Sequence, residues 1–341
     1  MWQELDYLPD GLLGLEAQQL AAHLRGPTLI HLSGRQPNPL FVSVLMHGNE
    51  TVGWEALRRL LGRYAGGGDL PRAMSLFIGN VTAAAQGMRR LAGQPDYNRV
   101  WPGCDPTGST EELMMRQVVE RLRQRHLFAS VDIHNNTGIN PHYACVNRLD
   151  PRYLQLANLF GRTVVYFLRP KGVQSMALAE LCPAVTLECG KVGQAHGIEH
   201  ALEYLGACLH LTEHPVHPVS DQDIDLFHTV AQVKVPETTS FSFSPGDSDI
   251  VFSPDLDHMN FQELPGGTLI GAVNGSASIG LDARDEAGAD VTDRYFMLED
   301  GQLCLQRPVM PSMLTIDEDV IRQDCLCYLM ERYDSHLHDA D

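Results

Sequence analysis

Leu40–Met46 reads LFVSVLM, and this run leads directly into His47-Gly48-Asn49-Glu50. An uncharged run of this length, bounded by a proline and a glycine, predicts a buried strand. A helical pattern of apolar residues follows from Val52 to the glycines at 66–68. Strand, polar turn and helix in this order are typical of an α/β sheet, in which ligands bind beyond the carboxyl ends of the strands.

Strands and helices alternate along the first two thirds of the chain. His134 and Glu188 each follow a predicted strand, so we expect them at the same sheet edge as His47. The alternation predicts an α/β fold with a mixed, largely parallel sheet flanked by helices. The expected strands are Met74–Ile78, Phe128–Ile133, Thr163–Leu168 and Ala184–Leu187, and the expected helices are Ser109–His126, Pro151–Phe160, Ser175–Leu181 and Ile198–Leu211.

The composition changes near residues 214–218, where histidines and prolines predict a linker or a domain edge. Beyond this point, short β-prone runs such as Thr229–Val235 and Thr268–Val273 are separated by turns such as Pro245-Gly246-Asp247. We therefore expect an α/β domain over residues 1–213 and a small β-rich C-terminal domain over residues 214–341.

The formal net charge of −18 argues against two classes of partner. Nucleic acids and anionic membrane surfaces both require clustered Lys and Arg. Met1–Leu20 lacks the basic start and apolar block of a signal peptide, and no apolar run approaches a membrane span. The eight cysteines contain no Cys-x-x-Cys pair and are expected to be reduced thiols. These features predict a cytoplasmic protein.

Three of the polar residues at the predicted sheet edge suit a catalytic metal ion. A catalytic zinc takes three N or O ligands from the protein and keeps one position open for water. His47, Glu50 and His134 supply such ligands, and Glu188 remains as a general base. Asp132 lies on the same side of its strand as His134, so we expect it to orient the imidazole.

Two short basic segments stand out in this acidic chain. Arg89-Arg90 and Asn98-Arg99 lie between the first and second candidate ligand segments. Arginine binds carboxylates in bidentate geometry, and an arginine close to a metal ion stabilises the oxyanion of a tetrahedral intermediate. The sequence therefore predicts a substrate that carries a carboxylate.

Taken together, these segments resemble the zinc carboxypeptidase superfamily, and within it the succinylglutamate desuccinylase and aspartoacylase branch. The resemblance covers roughly Phe41 to Gly193 and implies the fold of that superfamily, with a small β domain appended. The segments that carry it are His47–Thr51, Met88–Arg90, Asp96–Arg99, Asp132–Thr137 and Thr186–Lys191, in the family's order.

The resemblance also implies roles for individual residues. One Zn²⁺ per chain would be held by His47, Glu50 and His134 while an amide bond next to a carboxylate-bearing group is hydrolysed. The substrate would be an N-acyl amino acid or a short peptide cleaved at its C-terminus. The implied catalytic residues are Glu188 and Arg90, and the implied substrate-binding residues are Arg89, Asn98, Arg99 and Asn135. The spacing leaves open whether Arg89 or Arg90 faces the oxyanion.

One departure from the family pattern bears on the substrate. Acyl-amino-acid deacylases of this branch carry an arginine ahead of the catalytic glutamate, where it grips a second carboxylate. The corresponding segment here, Ser175–Glu180, contains no arginine. We therefore expect a substrate with a single carboxylate.

Two alternative functions remain open at this point. His196-Gly197-Ile198-Glu199-His200 matches the His-x-x-Glu-His pattern of inverzincin proteases, in which both histidines bind the metal and the glutamate is the base. A non-catalytic module that keeps the metal and binds carboxylates is the second alternative. The oligomeric state is also open, a homo-oligomer included.

Overall fold

The structure, a computed structural model, describes residues 2–275 and 279–333 of the chain. Its contacts divide the protein into two compact units, which are described separately. The first unit comprises Met1–Asn135, His142–Tyr166 and Pro170–Asp225. The second comprises Asn136–Pro141, Phe167–Arg169 and Leu226–Asp341.

The first unit is built on a mixed sheet with the strand order β1-β2-β4-β3-β5-β8-β6-β7. Parallel pairing joins β1 to β2, β3 to β4 and β5, and β6 to β7, whereas β2–β4 and β6–β8 are antiparallel. The predicted α/β fold with a largely parallel sheet is therefore confirmed. The strands are β1 (Gln3–Leu5), β2 (Thr28–Leu32), β3 (Gly34–Val44), β4 (Leu70–Ile78), β5 (Ala129–Asn136), β6 (Tyr143–Val146), β7 (Thr163–Tyr166) and β8 (Ala184–Lys191).

Apart from one short helix at Val81–Ala84, which was not predicted, the helices of the first unit begin and end near their predicted positions. They are α1 (Val52–Gly62), α2 (Val81–Ala84), α3 (Thr110–Arg123), α4 (Pro151–Asn158), α5 (Gln174–Leu178) and α6 (Ala195–His210), with 3-10 turns at Leu12–Gly14 and Ala17–Ala22. The hydroxyl of Ser109 caps α3 by accepting a hydrogen bond from the Glu112 N–H at 3.1 Å. Acidic residues in the first turn add favourable charge at that end.

The strand predicted at residues 40–46 is found as β3, which begins earlier, at Gly34, ends at Val44 and lies in the middle of this sheet. Leu40, Phe41, Val42 and Val44 are completely buried, and β3 is paired on both sides. Each such side chain contributes about 1.5–3 kcal/mol through burial. Helix α1 packs closely against this strand at Gly53. A Cβ at this position would lie only 2.7 Å from Val44 Cγ1, so glycine permits the close approach.

Two strands extend beyond their predicted ends. Strand β5 continues to Asn136 and β8 to Lys191, so His134 and Glu188 lie inside strands and not after them. Buried polar side chains near these ends have hydrogen-bond partners within the protein, which lets the strands continue where apolar character stops.

The second unit is rich in β structure, as predicted for the C-terminal region. Its five-stranded sheet has the order β10-β11-β12-β15-β14. Strand β9 pairs with β13 and with β17, and β17 also pairs with β16. Residues such as Val233, Phe252 and Leu303 form its apolar core. The elements are β9 (Asp225–Lys234), β10 (Phe241–Ser242), β11 (Ile250–Phe252), a 3-10 turn at Leu256–Met259, β12 (Leu269–Val273), β13 (Asp282–Arg284), α7 (Thr292–Tyr295), β14 (Phe296–Glu299), β15 (Gln302–Leu305), β16 (Met310–Ser312), α8 (Glu318–Gln323) and β17 (Cys327–Arg332).

The segment expected as a linker begins within the first unit. The ring of His214 stacks on Phe128 at 4.1 Å, and its Nε2 lies 2.8 Å from the Phe128 carbonyl oxygen. The division into functional domains at residues 213 and 214 stays a prediction. None of the eight cysteines, all of which lie in the described residues, forms a disulfide. Over residues 2–275 and 279–333, every helix is too short or too polar to cross a membrane.

Candidate metal centre

The loop between β3 and α1 carries the first two candidate ligands. Leu45 has a φ of 57°, a left-handed conformation that is uncommon for leucine and turns the chain out of β3. Glycine is required at position 48, because a Cβ there would lie 2.2 Å from the Ala84 nitrogen. The Gly48 N–H also donates to the Arg89 carbonyl at 3.0 Å. This close approach brings His47 next to the arginine segment.

His47, Glu50 and His134 form a buried group whose ligand atoms all lie within 4.8 Å of one another. His47 Nδ1 lies 2.7 Å from Glu50 Oε1, and His134 Nδ1 lies 2.7 Å from Glu50 Oε2. The two ring centroids are 5.1 Å apart. Two nitrogens and a carboxylate that converge in this way could hold a metal ion.

Each imidazole has a second carboxylate next to its Nε2 atom, on the side of the ring away from Glu50. Asp132 Oδ2 lies 2.7 Å from His134 Nε2, which confirms the predicted partnership, and Ser43 Oγ donates to Asp132 Oδ1 at 2.6 Å. On the other side, Asp96 Oδ1 lies 2.9 Å from His47 Nε2. Such partners fix the tautomer and the orientation of a metal-binding histidine, leaving Nδ1 for the metal.

The electrostatics of this group reflect burial opposed by close charges. Burial alone raises the pKa of Glu50 and Asp96. The neighbouring imidazoles, and for Asp96 also the Arg89 guanidinium, outweigh burial and hold both pKa values below their usual range. Burial lowers the pKa of His134, but Asp132 and Glu50 outweigh it and hold that pKa well above its usual value.

Of the two neighbouring arginines, Arg89 reaches this group. Its Nη1 lies 3.4 Å from Glu50 Oε1, and its Nη2 donates to Asp96 Oδ2 at 3.0 Å. Arg90 Nη1 instead donates to the carbonyl oxygen of Gln94 at 2.9 Å. The structure thus brings Arg89 beside the candidate ligands, and Arg90 contacts its own loop.

The predicted substrate-binding residues Asn98 and Arg99 lie on the loop that follows Asp96. Asn98 Nδ2 lies 3.1 Å from His134 Nε2, and its Oδ1 accepts a hydrogen bond from the Gln174 N–H at 2.9 Å. Arg99 is partly buried, and its Nη1 donates to the Asn98 carbonyl at 2.9 Å. Asn98 therefore contacts a candidate metal ligand, and Arg99 lies next to Asn98 on the same loop.

Asn135 connects the three segments that the sequence singled out. Its N–H donates to Glu50 Oε2 at 3.2 Å, its Oδ1 accepts from the Val52 N–H at 3.2 Å, and its Nδ2 donates to the Gly190 carbonyl at 2.9 Å. Both ends of the side-chain amide are thus engaged within the protein.

Glu188 lies on the strand next to His134. Strand β8 runs between β5 and β6, and Glu188 is buried opposite Tyr143 of β6. The Ser130 N–H donates to the Pro183 carbonyl, and Asn135 Nδ2 donates to the Gly190 carbonyl, both at 2.9 Å. Glu188 lies between these two ties to β5, so the sheet holds it at the edge where the ligands converge.

The His-x-x-Glu-His segment adopts a different arrangement. Helix α6 begins at Ala195, so both histidines lie on the helix, but Glu199 is exposed and pairs with Arg59 Nη1 at 2.6 Å. His200 Nε2 lies 2.6 Å from the Phe160 carbonyl oxygen. Among the described residues, His47, Glu50 and His134 are the group whose ligand atoms converge.

Sequence reasoning missed the part played by Asp96. It was noticed only as a member of the Asp96–Arg99 segment, yet it contacts both His47 and Arg89. The available signal was its position two residues before Asn98, whose backbone N–H donates to Asp96 Oδ1 at 2.8 Å. This local turn aims the carboxylate, but the sequence does not reveal that it reaches His47, which is distant along the chain.

Comparison with known proteins places this site in a family context. The family described as succinylglutamate desuccinylase/aspartoacylase catalytic domain matches residues 38–204. A segment of 86 residues is 38% identical to the succinylglutamate desuccinylase of Pseudomonas aeruginosa PAO1. That segment spans 25% of this chain and 25% of the relative, so three quarters of the relative's length lies outside the comparison.

Solved structures are similar over most of the chain. The succinylglutamate desuccinylase of Vibrio parahaemolyticus superimposes with a TM-score of 0.61 at 14% identity, covering 91% of this chain and 87% of that one. Murine aminoacylase 3 gives a TM-score of 0.56 at 15% identity, covering 88% and 97%. At these identities the likeness concerns the fold alone.

Proposed function

Because residues 38–204 belong to the succinylglutamate desuccinylase/aspartoacylase family of catalytic domains, we propose that this protein is a zinc-dependent amide hydrolase. The bond cleaved lies next to a carboxylate-bearing group. The observation that carries this proposal is the convergence of His47 Nδ1 and His134 Nδ1 on the two oxygens of the buried Glu50 carboxylate.

The donor set suits a zinc ion. Zinc accepts imidazole nitrogen and carboxylate oxygen, and its catalytic sites use three protein ligands. The Nε2 atoms of both histidines face carboxylates, an arrangement typical of metal-binding imidazoles. When bound there, zinc would lower the pKa of a water molecule and polarise the substrate carbonyl.

Glu188 is proposed as the general base. It is buried on the strand next to His134, and the hydrogen bonds on either side hold it at this edge of the sheet. Its carboxylate would take a proton from the attacking water and deliver it to the leaving amine. Water is thereby consumed, and a carboxylic acid and an amine are released.

Arg89 is proposed to stabilise the developing oxyanion in place of Arg90. Its guanidinium lies 3.0 Å from Asp96 and 3.4 Å from Glu50, whereas Arg90 bonds to the Gln94 carbonyl. A cation fixed before the reaction stabilises negative charge that appears in the transition state. Arg99, on the neighbouring loop, is proposed to bind the substrate carboxylate, with Asn98 beside it.

Asn135 is proposed as a positioning residue, instead of the substrate contact inferred from the sequence. Its side-chain amide already bonds to Val52 and Gly190, and its N–H bonds to Glu50. It would hold the ligand loop at a fixed distance from the strand that carries Glu188. Small displacements of catalytic groups lower rates strongly, so this tie bears on catalysis.

The proposed substrate is an N-acyl amino acid or a short peptide with one carboxylate. The relatives named above are a desuccinylase and an aminoacylase, which supports an acyl-amino-acid substrate. Segment Ser175–Glu180 lacks arginine, which favours a single carboxylate over a dicarboxylate. Location in the cytoplasm remains a prediction, and the oligomeric state is still open.

The decisive test is Glu188→Gln. Turnover on a panel of N-acetyl and N-succinyl amino acids and C-terminal dipeptides should fall by about 10²–10⁴-fold while zinc content stays unchanged. Glu203→Gln, an exposed position on α6, is the matched control and should keep full activity. Unchanged turnover in Glu188→Gln would remove this residue from the mechanism. A wild-type protein that binds zinc but hydrolyses none of the panel would support the non-catalytic module.

A further inference from the structure

A buried glutamine lies behind the loop that carries Asn98 and Arg99. Gln174 is the first residue of α5 and is completely buried. Its backbone N–H donates to Asn98 Oδ1 at 2.9 Å, and its side-chain Nε2 donates to Ser130 Oγ, also at 2.9 Å. Gln174 thus connects the loop with strand β5, on which His134 follows Ser130.

We propose that Gln174 is a positioning residue for substrate binding, which holds Asn98 and Arg99 at a fixed place relative to the strand of His134. The inference rests on the proposed function, in which Arg99 binds the substrate carboxylate with Asn98 beside it. Gln174 lies outside every sequence segment that pointed to the candidate site.

The side-chain end of this connection is fixed on the strand of a candidate metal ligand. Alternate side chains point to the same side of a strand, so Ser130, Asp132 and His134 share one face of β5. Ser130 is completely buried, and its N–H donates to the Pro183 carbonyl at 2.9 Å. A group anchored on Ser130 is therefore anchored on the face that presents His134.

The loop end of the connection is part of a longer contact. The Trp101 N–H donates to the Gly172 carbonyl at 3.0 Å. Gly172 has a φ of 75°, and a Cβ there would lie 2.3 Å from the Arg99 carbonyl oxygen, so the two segments approach as only glycine permits. The loop of Asn98 and Arg99 is thus seated along residues 172–174, and its position depends on theirs.

Asn98 passes this position on to Arg99. Its Oδ1 accepts the hydrogen bond from the Gln174 N–H, and its backbone N–H donates to Asp96 Oδ1 at 2.8 Å. Arg99 Nη1 donates to the Asn98 carbonyl oxygen at 2.9 Å. A displacement of Asn98 therefore also displaces the guanidinium that is proposed to bind the carboxylate.

The polar side chain at position 174 is not explained by folding stability. Its Oε1 is buried and has no hydrogen-bond partner among the described residues. An unpaired buried oxygen costs free energy of folding, and an apolar side chain of similar shape often serves stability equally well. Natural proteins break such local rules mainly at functional positions. The amide at position 174 is therefore better explained by its bond to Ser130 and its place behind Asn98.

The main test is Gln174→Met, in which an apolar side chain of similar length replaces the amide. KM for an N-acyl amino acid should rise about tenfold, because weaker hydrogen bonding to a charged carboxylate costs about that factor. The kcat value and zinc content should equal those of the wild type, because the lost interaction serves binding and not the chemical step. A purely structural role predicts the reverse, a lower urea midpoint with an unchanged KM.

Ser130→Ala removes the other end of the same hydrogen bond. It should raise KM to a similar extent, and the double variant should raise it no further, because the two side chains act as one connection. Ser75→Ala is the matched control. Ser75 is also buried in this sheet, on β4, and its Oγ lies 2.9 Å from His31 Nδ1, so its loss should leave KM unchanged.

Binding is measured separately from turnover. Calorimetric titration of zinc-loaded Glu188→Gln protein with N-acetylalanine gives a dissociation constant, which the additional change Gln174→Met should raise about tenfold. If the wild type hydrolyses none of the panel, the proposed function fails, and the binding result still decides this inference. Unchanged KM and dissociation constant in Gln174→Met would overturn it. Additive effects in the double variant, or an equal rise of KM in Ser75→Ala, would do the same.

Discussion

The two histidine groups of the first unit differ in what surrounds them. His47 and His134 face the carboxylates of Glu50, Asp96 and Asp132. The second group consists of His142, His196 and His200, whose rings pack against one another. The Phe160 ring lies 4.3 Å from that of His200, and the Phe160 carbonyl oxygen lies 2.6 Å from His200 Nε2. Burial lowers the pKa of both His134 and His142. At His134, neighbouring carboxylates outweigh burial and raise the pKa, whereas at His142 the pKa stays lowered.

This difference separates a group organised by charged hydrogen-bond partners from a group organised by ring packing. The pKa of His134 lies well above its usual value because Asp132 and Glu50 outweigh burial, whereas that of His142 falls to about 4. The surrounding carboxylates hold the first pair of rings in place, with their Nδ1 atoms directed at Glu50. Around His142, burial and the neighbouring histidines act in the same direction, and the ring is positioned by packing against His196 and His200.

The largest expected effect concerns Arg89, the cation beside the first histidine group. Arg89→Ala should lower kcat by about 10²–10³-fold, because removing one oxyanion-stabilising group costs this much. Arg90→Ala is the matched control and should leave kcat close to that of the wild type. Steady-state kinetics with zinc content determined in parallel will measure both. Equal losses in the two variants would contradict the assignment of Arg89.

The carboxylate behind His134 offers a more direct test of the comparison. Asp132→Asn should weaken zinc affinity by about 10–100-fold, because the imidazole loses the charge that orients it. Zinc competition against a fluorescent chelator measures this affinity. Asp105→Asn, at an exposed position, should change nothing. If Asp132→Asn binds zinc as tightly as the wild type, the carboxylates do not distinguish the two histidine groups.

Substitution of Asn135 tests whether catalysis depends on the hydrogen bonds that its side chain makes to Val52 and Gly190. Asn135→Ala should lower kcat by about tenfold, the equivalent of about one hydrogen bond, with KM unchanged, because the side chain touches protein and no substrate. The kcat and KM values for one N-acyl amino acid separate these effects. A raised KM with unchanged kcat would restore Asn135 as a substrate-binding residue.

The smallest effect is the pH dependence of stability from His142. The pKa of His142 is about 4 in the folded protein and 6.5 in the unfolded chain. As the pH falls, the unfolded chain therefore takes up the proton first. Stability is therefore complete above pH 6.5 and declines as the pH falls toward 4. Because the ring is only partly buried, we expect a loss on the order of 1 kcal/mol.

Urea unfolding of metal-free protein at several pH values between 7 and 4 measures this loss. His142→Asn should unfold with a shallower pH dependence than the wild type, and His210→Ala should follow the wild type. An identical pH dependence in His142→Asn and the wild type would show that this ring does not resist protonation in the fold.

Much of the fold followed from local patterns. The apolar run at residues 40–46 predicted a buried central strand because every side chain in it avoids water, and β3 is buried there. The helix start predicted at Ser109 likewise agrees with the structure, in which Ser109 caps α3. Short strands such as β6 and β13 were missed because three or four residues carry too little periodicity. The ends of β5 and β8 were placed too early because buried polar residues resemble strand ends.

The amino-acid sequence alone determined which residue types form the site: two histidines and two glutamates at the ends of apolar runs, with arginines between them. Only the tertiary structure decided that Arg89 and not Arg90 reaches Glu50, that Asp96 contacts His47, and that His142 joins His196 and His200. The physical reason is that residue type and short-range spacing set local conformation. The direction of a side chain on a loop depends on contacts with residues far away in the chain.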